Sequence, residues 1–431
     1  MSLGFTDGPR AAAHPPSTSA DAASARDLDA VLAGGELHSV YQPIVDLATG
    51  ETVAVEALAR GPKGTLELPG ALFGAARRHG RLVALERLCQ EAAVVGARRA
   101  GLGMPLFVNV EPEAIEAGDL GTLARTEAIL GGTIPLVIEI TERALTTRPA
   151  ELIDFLARVR RLGWGIALDD LGVDPRSLAL LPIVRPDVVK LDRTLIQAPP
   201  SAESAATLCA VAAACESTGA IIIAEGIETE RHRRTALAAG ATFGQGHLLG
   251  RPAPLPAGLS GSWRAPRVAE AHSDIDLATP YSVVAPGRPM RRASWPFLLE
   301  VSNVLEAQAR ALGSEALIVS AFQSAARFTP LTADRYRLLG ARAAFVAALG
   351  VGMPIEPVPG VRGAALRDDD PLRGEWSVVV LGPHFSGALV AKELDAPRER
   401  PDFSYAVTYE RDLVVRAATT LMRQVVQAEN G

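Results

Sequence analysis

Eight short apolar, β-rich segments recur between residues 39 and 249, most of them separated by helical patterns. They are SVYQPIVDL (39–47), TVAVEALAR (52–60), LFVNVE (106–111), PLVIEIT (135–141), GIALDDL (165–171), VVKLDR (188–193), IIIAEGI (221–227) and FGQGHLL (243–249). Eight strands alternating with helices predict a (β/α)8 barrel, whose usual size is about 250 residues. The first connection departs from that plan. Only ATGE joins the first two segments, which is too short for the crossover a parallel pair needs, so these strands form a hairpin. The predicted class is α/β, a modified (β/α)8 TIM-type barrel with an antiparallel first strand.

The chain has 431 residues, more than one ordinary domain requires. Residues 1–26 are rich in Ala, Ser, Pro and Gly and read as a disordered N-terminal segment. The barrel occupies 27–255. Pro, Gly and Ser punctuate 256–289, which reads as a linker. A second, mixed α/β domain fills 290–431. Its expected helices are 296–312, 334–350 and a closing one from about Arg411; its expected strands are 316–323, 376–383 and 388–394.

A net charge of −6 argues against a broad grip on DNA, and the Arg291-Arg292 pair is too short to supply one. The most apolar window, 205–224, contains Glu216 and Ser217 and reads as a helix followed by a strand, not as a membrane span. No basic stretch leads into an apolar one at the N-terminus. The three cysteines show no CxxC spacing and read as reduced thiols. A soluble, cytoplasmic protein is expected.

The strand list carries a second pattern. Glu56 ends strand two, Asn109 strand three, Glu139 strand four, Asp169 and Asp170 strand five, Lys190 strand six and Glu225 strand seven, with Gln245 at strand eight. In a β/α barrel these ends converge on one face, where the chemistry lies. Any one of them alone reads as an ion pair or a helix cap; repetition at seven strands points to a site. Five carboxylates beside one lysine cannot stay ionised together without cations, and two divalent ions balance the charge. All-oxygen ligands without His or Cys suit hard cations, two Mg²⁺ or Mn²⁺, rather than zinc. Such a pair suits in-line attack of water on a phosphodiester. Lys190, one of only three lysines, is placed to orient that water. A Schiff base at Lys190 would need a depressed pKa, and the carboxylates push it the other way.

At this point the chain resembles the EAL-domain cyclic-di-GMP phosphodiesterases, over about residues 27–255. The matching motifs are YQPIVDLATGETVAVEALAR, FVNVEP, IEITE, LDDLG, VVKLD, AEGIET and GQGHLLGRP. The resemblance implies metal ligands at Glu56, Asn109, Glu139, Asp169, Asp170 and Glu225. It implies Lys190 holding the attacking water, with Glu225 beside it in the catalytic set. It implies substrate contacts at Gln42, Arg60 and Gln245, and supporting roles for Glu142, Asp192 and Glu228. Alternation along strand two places Glu56 and Arg60 on one face. The implied reaction is hydrolysis of cyclic-di-GMP to linear pGpG. The C-terminal region resembles the DICT sensory domain, in stretches such as LLEVSNVLEAQA, LIVSAFQ and DPLRGEWSVVVLGP. That implies control by an unidentified signal, and a homodimer is expected. One departure stands out: where the family usually reads DFGTGYSSL, this chain has DLGVDPRSL, Asp170 to Leu178. In the family this loop links the metal site to the dimer interface. The altered loop supports an alternative, a receptor that binds cyclic-di-GMP without cutting it and signals through the C-terminal domain.

Overall fold

The coordinates are a computed structural model describing residues 18–111, 115, 120–141, 149–179, 181–261, 279–394 and 402–425. Eight strands close into a barrel in sequence order: β1 (His38–Asp46), β2 (Thr52–Arg60), β3 (Leu106–Val110), β4 (Leu136–Ile140), β5 (Gly165–Leu171), β6 (Val188–Leu191), β7 (Ile221–Ala224) and β8 (Phe243–Gly244). β1 runs antiparallel to both β2 and β8, and every other neighbouring pair is parallel. The predicted fold class and the β1–β2 hairpin are what the structure shows.

The barrel floor is one apolar layer. Ile44, Ala54, Phe107, Val137, Ala167, Val188, Ile223 and Phe243, one residue from each strand, form a single buried cluster. Helices such as Leu82–Ala100 and Pro149–Arg161 pack outside the strands. The latter turns Leu152, Ile153, Leu156 and Val159 inward, the spacing of an amphipathic helix.

A second sheet of seven strands has the order β12-β11-β10-β13-β14-β15-β9. Its strands are β9 (Arg291–Ser294), β10 (Leu317–Ser324), β11 (Phe345–Val351), β12 (Arg362–Ala365), β13 (Glu375–Leu381), β14 (Ser386–Glu393) and β15 (Asp402–Thr408). Alternation splits the central strands between two cores. Ile318, Val346, Val378 and Val380 face the cluster that includes Leu298 and Leu305 of helix Trp295–Leu312. Leu317, Val319, Val379 and Leu381 face the cluster that includes Val414 and Leu421 of helix Arg411–Met422. That cluster continues into Leu152 and Leu156 of the barrel, so helix Arg411–Met422 lies between sheet and barrel.

Three expectations fail. The run 334–350, read as one helix, is a helix Pro330–Gly340 followed by β11. β11 is buried along nearly its whole length, so FVAALGV shows no alternation, and an unbroken apolar run does not distinguish strand from helix. A helix spans Thr18–Leu32 and so begins within the stretch read as disordered to residue 26; residues 1–17 lie outside the described part. The stretch 256–289 is not uniformly a linker. Ser260 bridges to Gly103 of the barrel, and helix Pro280–Val284 packs on helix Arg411–Met422; residues 262–278 lie outside the described part.

Candidate functional site

The floor layer locates the site by simple counting. Two residues beyond Ala54, Phe107, Val137, Ala167, Val188, Ile223 and Phe243 stand Glu56, Asn109, Glu139, Asp169, Lys190, Glu225 and Gln245. On antiparallel β1 the same step runs backwards, from Ile44 to Gln42, which pairs with Glu56 across the hairpin. A step of two keeps a side chain on the same face of a strand. The barrel interior is therefore apolar in one layer and polar in the next.

Lys190 stands at the centre of the polar layer. Its Nζ lies 2.7 Å from Glu139 Oε1, 2.7 Å from Glu225 Oε1, 3.1 Å from Asp169 Oδ1 and 3.5 Å from Glu56 Oε2. Glu56 has further support: Asn109 Nδ2 donates to its Oε1 at 2.9 Å and Gln245 Nε2 to its Oε2 at 2.8 Å. Gln245 also donates to Gln42 Oε1 at 3.2 Å, and Gln42 donates to the Gly250 carbonyl at 3.1 Å. The two glutamines expected to face substrate thus form a chain that anchors Glu56.

The adjacent aspartates need a device. Consecutive residues of a strand point to opposite faces, yet oxygens of Asp169, Asp170 and Glu225 all lie within 4.8 Å of one another. The pairing of β5 with β6 shifts register between Leu168 and Leu171, and Asp170 adopts φ 57°. This is a bulge with a left-handed residue, the means by which a strand re-aims a side chain. Aspartate is one of the few residue types that tolerate that conformation.

Hydrogen bonding separates the titration of carboxylates that share one lysine. Burial would raise the Glu56 carboxyl, but the Lys190 charge and the donors Gln245 and Asn109 outweigh it and hold it below the usual range. At Glu139, burial and then the Glu56 charge outweigh the Lys190 ammonium and push the carboxyl well above the usual range. Burial likewise pushes Glu225 up to about 8. Burial alone would lower the Lys190 pKa, but Asp169, Glu139, Glu225 and Glu56 raise it well above the ordinary lysine value.

These residues fit hard divalent cations. Both oxygens of Glu139 and Oδ1 of Asp169 are buried and accept no aligned hydrogen bond among the described residues, although the ammonium stands close to Glu139 Oε1 and Asp169 Oδ1. Buried acceptors without donors are costly, and a cation with oxygen ligands would satisfy them. The trio Asp169, Asp170 and Glu225 could hold one such ion.

The remaining expected residues lie apart from the cluster. Arg60 is half-buried, and its guanidinium donates to the Ala59 carbonyl at 2.8 Å rather than joining Glu56. Asp192 is the N-cap of helix Arg193–Gln197, accepting from the Thr194 N–H at 2.8 Å, an ordinary capping role. Glu228 is exposed. Glu142 lies outside the described residues. A cavity of about 360 Å³ opens beside Glu56 and Asn109, lined also by Phe73, Glu86 and Gln90. The sequence pattern did not point to Glu86 and Gln90. Both are buried, and Gln90 donates to Glu86 at 3.1 Å. Two polar residues four apart on the apolar face of Leu82–Ala100 were the available signal.

The divergent loop DLGVDPRSL ends in a turn, Pro175–Ala179, that packs against Gly313–Glu315 of the second sheet's layer. Asp174 Oδ1 accepts from the Arg176 N–H at 2.9 Å, a local side-chain turn. Strand β5 and its aspartates are thereby joined to the C-terminal domain.

Comparison with known proteins agrees with this geometry. The EAL domain pattern matches residues 25–252. The DICT pattern, the sensory domain in diguanylate cyclases and two-component systems, matches residues 282–394. The chain is 33% identical over 229 residues to the uncharacterized protein y4lL of Sinorhizobium fredii, covering 52% of this chain and 28% of that protein. It is 31% identical over 244 residues to the cyclic di-GMP phosphodiesterase RocR of Pseudomonas aeruginosa, covering 54% of this chain and 62% of RocR. The chain therefore spans less than two thirds of the length of either relative. The Xanthomonas citri FimX EAL domain in complex with c-diGMP aligns at 22% identity and a TM-score of 0.49, over 56% of this chain and 98% of that one. With seven strand-end residues in one polar layer and the family pattern spanning more than half of its length, the chain belongs to the EAL-domain family.

Proposed function

We propose that the barrel is a metal-dependent phosphodiesterase that hydrolyses cyclic-di-GMP to linear pGpG under the control of the C-terminal domain. The observation that carries this reading is the buried Lys190 ammonium among Glu56, Glu139, Asp169 and Glu225. The relative named a cyclic di-GMP phosphodiesterase supports the substrate.

Glu56, Asn109, Glu139, Asp169, Asp170 and Glu225 would hold two Mg²⁺ or Mn²⁺. When bound, such ions neutralise the carboxylates and the substrate phosphate and acidify the attacking water. The chain's own residues do the rest. Lys190, protonated and with three N–H donors, orients the water oxygen toward phosphorus. Gln245 and Asn109 keep Glu56 ionised and fixed. Water adds across one bond between phosphorus and a 3′-oxygen: its oxygen bonds to phosphorus as that bond breaks, one of its protons ends on the 3′-oxygen, which leaves as a hydroxyl, and its other hydrogen stays with the new phosphate until it ionises. The raised pKa of Lys190 opposes a Schiff-base reaction, which needs the neutral amine.

Control by the C-terminal domain is supported by its contacts. Besides the turn at 175–179, Arg185 pairs with Asp412 at 3.4 Å and Arg423 with Asp154 at 3.3 Å. Among the described residues no helix is long and apolar enough to cross a membrane. A cytoplasmic homodimer completes the proposal.

The test is to incubate the purified protein with cyclic-di-GMP and Mg²⁺ or Mn²⁺ and resolve the products by chromatography. The expected product is pGpG, absent in Glu56→Ala and Lys190→Ala. Tight binding without cleavage would favour the non-catalytic receptor. Neither binding nor cleavage would overturn both.

A further inference from the structure

The second domain contains a partly open cavity of about 250 Å³ that shares no lining residue with the carboxylate cluster. It lies between helix Trp295–Leu312, helix Pro330–Gly340, β10, β13 and β15. Trp295, Phe322, Trp376 and Phe403 line it. Two of the chain's four tryptophans are thus gathered at one cavity, although aromatic residues make up only 5% of the sequence. Trp295 and Trp376 stand 5.2 Å apart at 32°, and Trp376 meets Phe403 edge-on at 6.0 Å. Its volume equals that of about eight liquid waters, enough for a compound of one or two rings.

Two of its polar groups are unspent. Ser302 is 2% exposed and Trp376 7%, and neither the Ser302 hydroxyl nor the Trp376 indole N–H has a hydrogen-bond partner among the described residues. Buried donors are rarely left so, and indole is a donor only. Two independent unpartnered groups therefore line one cavity. Two arginines stand at its wall. Arg335 is committed to buried Glu306 at 2.6 Å, whereas Arg327 lies over the Trp295 ring at 5.3 Å. Gln323, also lining the cavity, has φ 63°, a strained conformation that accumulates at binding sites.

We propose that this cavity binds a small planar aromatic molecule carrying a carbonyl-type oxygen, which stacks among the tryptophans and accepts from Trp376 Nε1 and Ser302. Apolar walls with a few convergent polar groups are the usual form of such a site. The cavity is also well placed to be read. Trp295, Leu299, Ser302 and Glu306 lie on one stripe of a single helix. That helix runs to Leu312 and into Gly313–Glu315, which packs on the turn after β5.

The experiment titrates the full-length protein with 2-quinolone by isothermal calorimetry, with its fully saturated analogue as control. Saturable binding of 2-quinolone, much weaker for the saturated compound, is expected. Trp376→Phe keeps the ring and removes the N–H, and should weaken binding about tenfold, the usual effect of losing one hydrogen bond. Ser302→Leu fills the cavity and should abolish binding, with the far-ultraviolet circular dichroism unchanged. No binding of 2-quinolone to the wild type would overturn the proposal. Equal binding of the saturated analogue, or binding unaltered in both variants, would do the same. Because the readout is heat of binding, the result is independent of whether the barrel cleaves cyclic-di-GMP.

Discussion

Lys190 Nζ and Glu139 Oε1 stand 2.7 Å apart with side chains 1% and 0% exposed. One ammonium holds several carboxylates in the interior, and none of them has another cation among the described contacts of the cluster. Lys190→Met therefore strands like charges in a largely buried site. Breaking a buried pair by removing one partner costs about 3–5 kcal/mol. A large fall in melting temperature is expected without divalent ions, with partial recovery on adding Mn²⁺. Thermal unfolding with and without Mn²⁺ checks this; a variant as stable as wild type in chelator would show that the cluster does not depend on its lysine.

Glu139→Gln takes one charge from a crowded set and leaves the shape unchanged. Stability without metal should hold or rise, because the carboxylate is already pushed toward its neutral form. Affinity for Mn²⁺ should fall by about tenfold or more, as expected for a lost ligand. Thermal unfolding in chelator reads the first and calorimetric titration with Mn²⁺ the second; unchanged affinity would remove Glu139 from the ligand set.

Asp170 separates backbone from charge. Asp170→Asn retains tolerance for φ 57° and should keep the melting temperature while losing hydrolysis. Asp170→Val should also destabilise, by about 1–2 kcal/mol for the left-handed strain. Denaturant unfolding of the two variants makes the comparison, and equal stability would show that the bulge carries no strain.

Glu375 gives the second domain a pH dependence. Burial pushes its carboxyl up to about 7 from 4.5, against hydrogen bonds from Thr279 and Tyr281. A folded pKa above the unfolded one means that folding takes up a proton. The resulting stability is complete below pH 4.5 and is lost as pH rises through about 7. Glu375→Gln should flatten the melting-temperature profile between about pH 5 and 8. A slope identical to wild type would assign the dependence to other groups.

Deleting residues 290–431 removes helix Arg411–Met422 from its apolar contacts with the barrel and frees the turn at 175–179. The rate of cyclic-di-GMP cleavage or the oligomeric state should change. Turnover assays and light scattering on the truncated protein decide; if both match the full chain, the domain exerts no control.

The carboxylates are legible in the sequence because a strand repeats every two residues. Floor residues such as Val137 and Val188 and site residues such as Glu139 and Lys190 sit two apart in one short segment. Chain periodicity alone puts them on one face. The hairpin is legible too, because four residues cannot cross a sheet. Other features depend on contacts between distant segments. The Gln245 bond to Glu56 spans 189 positions and exists only because the barrel closes; it gives a residue expected to contact substrate a second role as a brace. Arg60 shares its strand with Glu56, yet local geometry turns it to the Ala59 carbonyl. Asp170 reaches the site through a register shift set by the pairing of β5 with β6, and FVAALGV is a strand because two partners, β10 and β12, offer it hydrogen bonds. Membership of the polar layer follows from the short-range repeat of the backbone and is written in the order of residues. Which of its members touch, and where the second domain meets the barrel, depends on closure and packing across the whole chain.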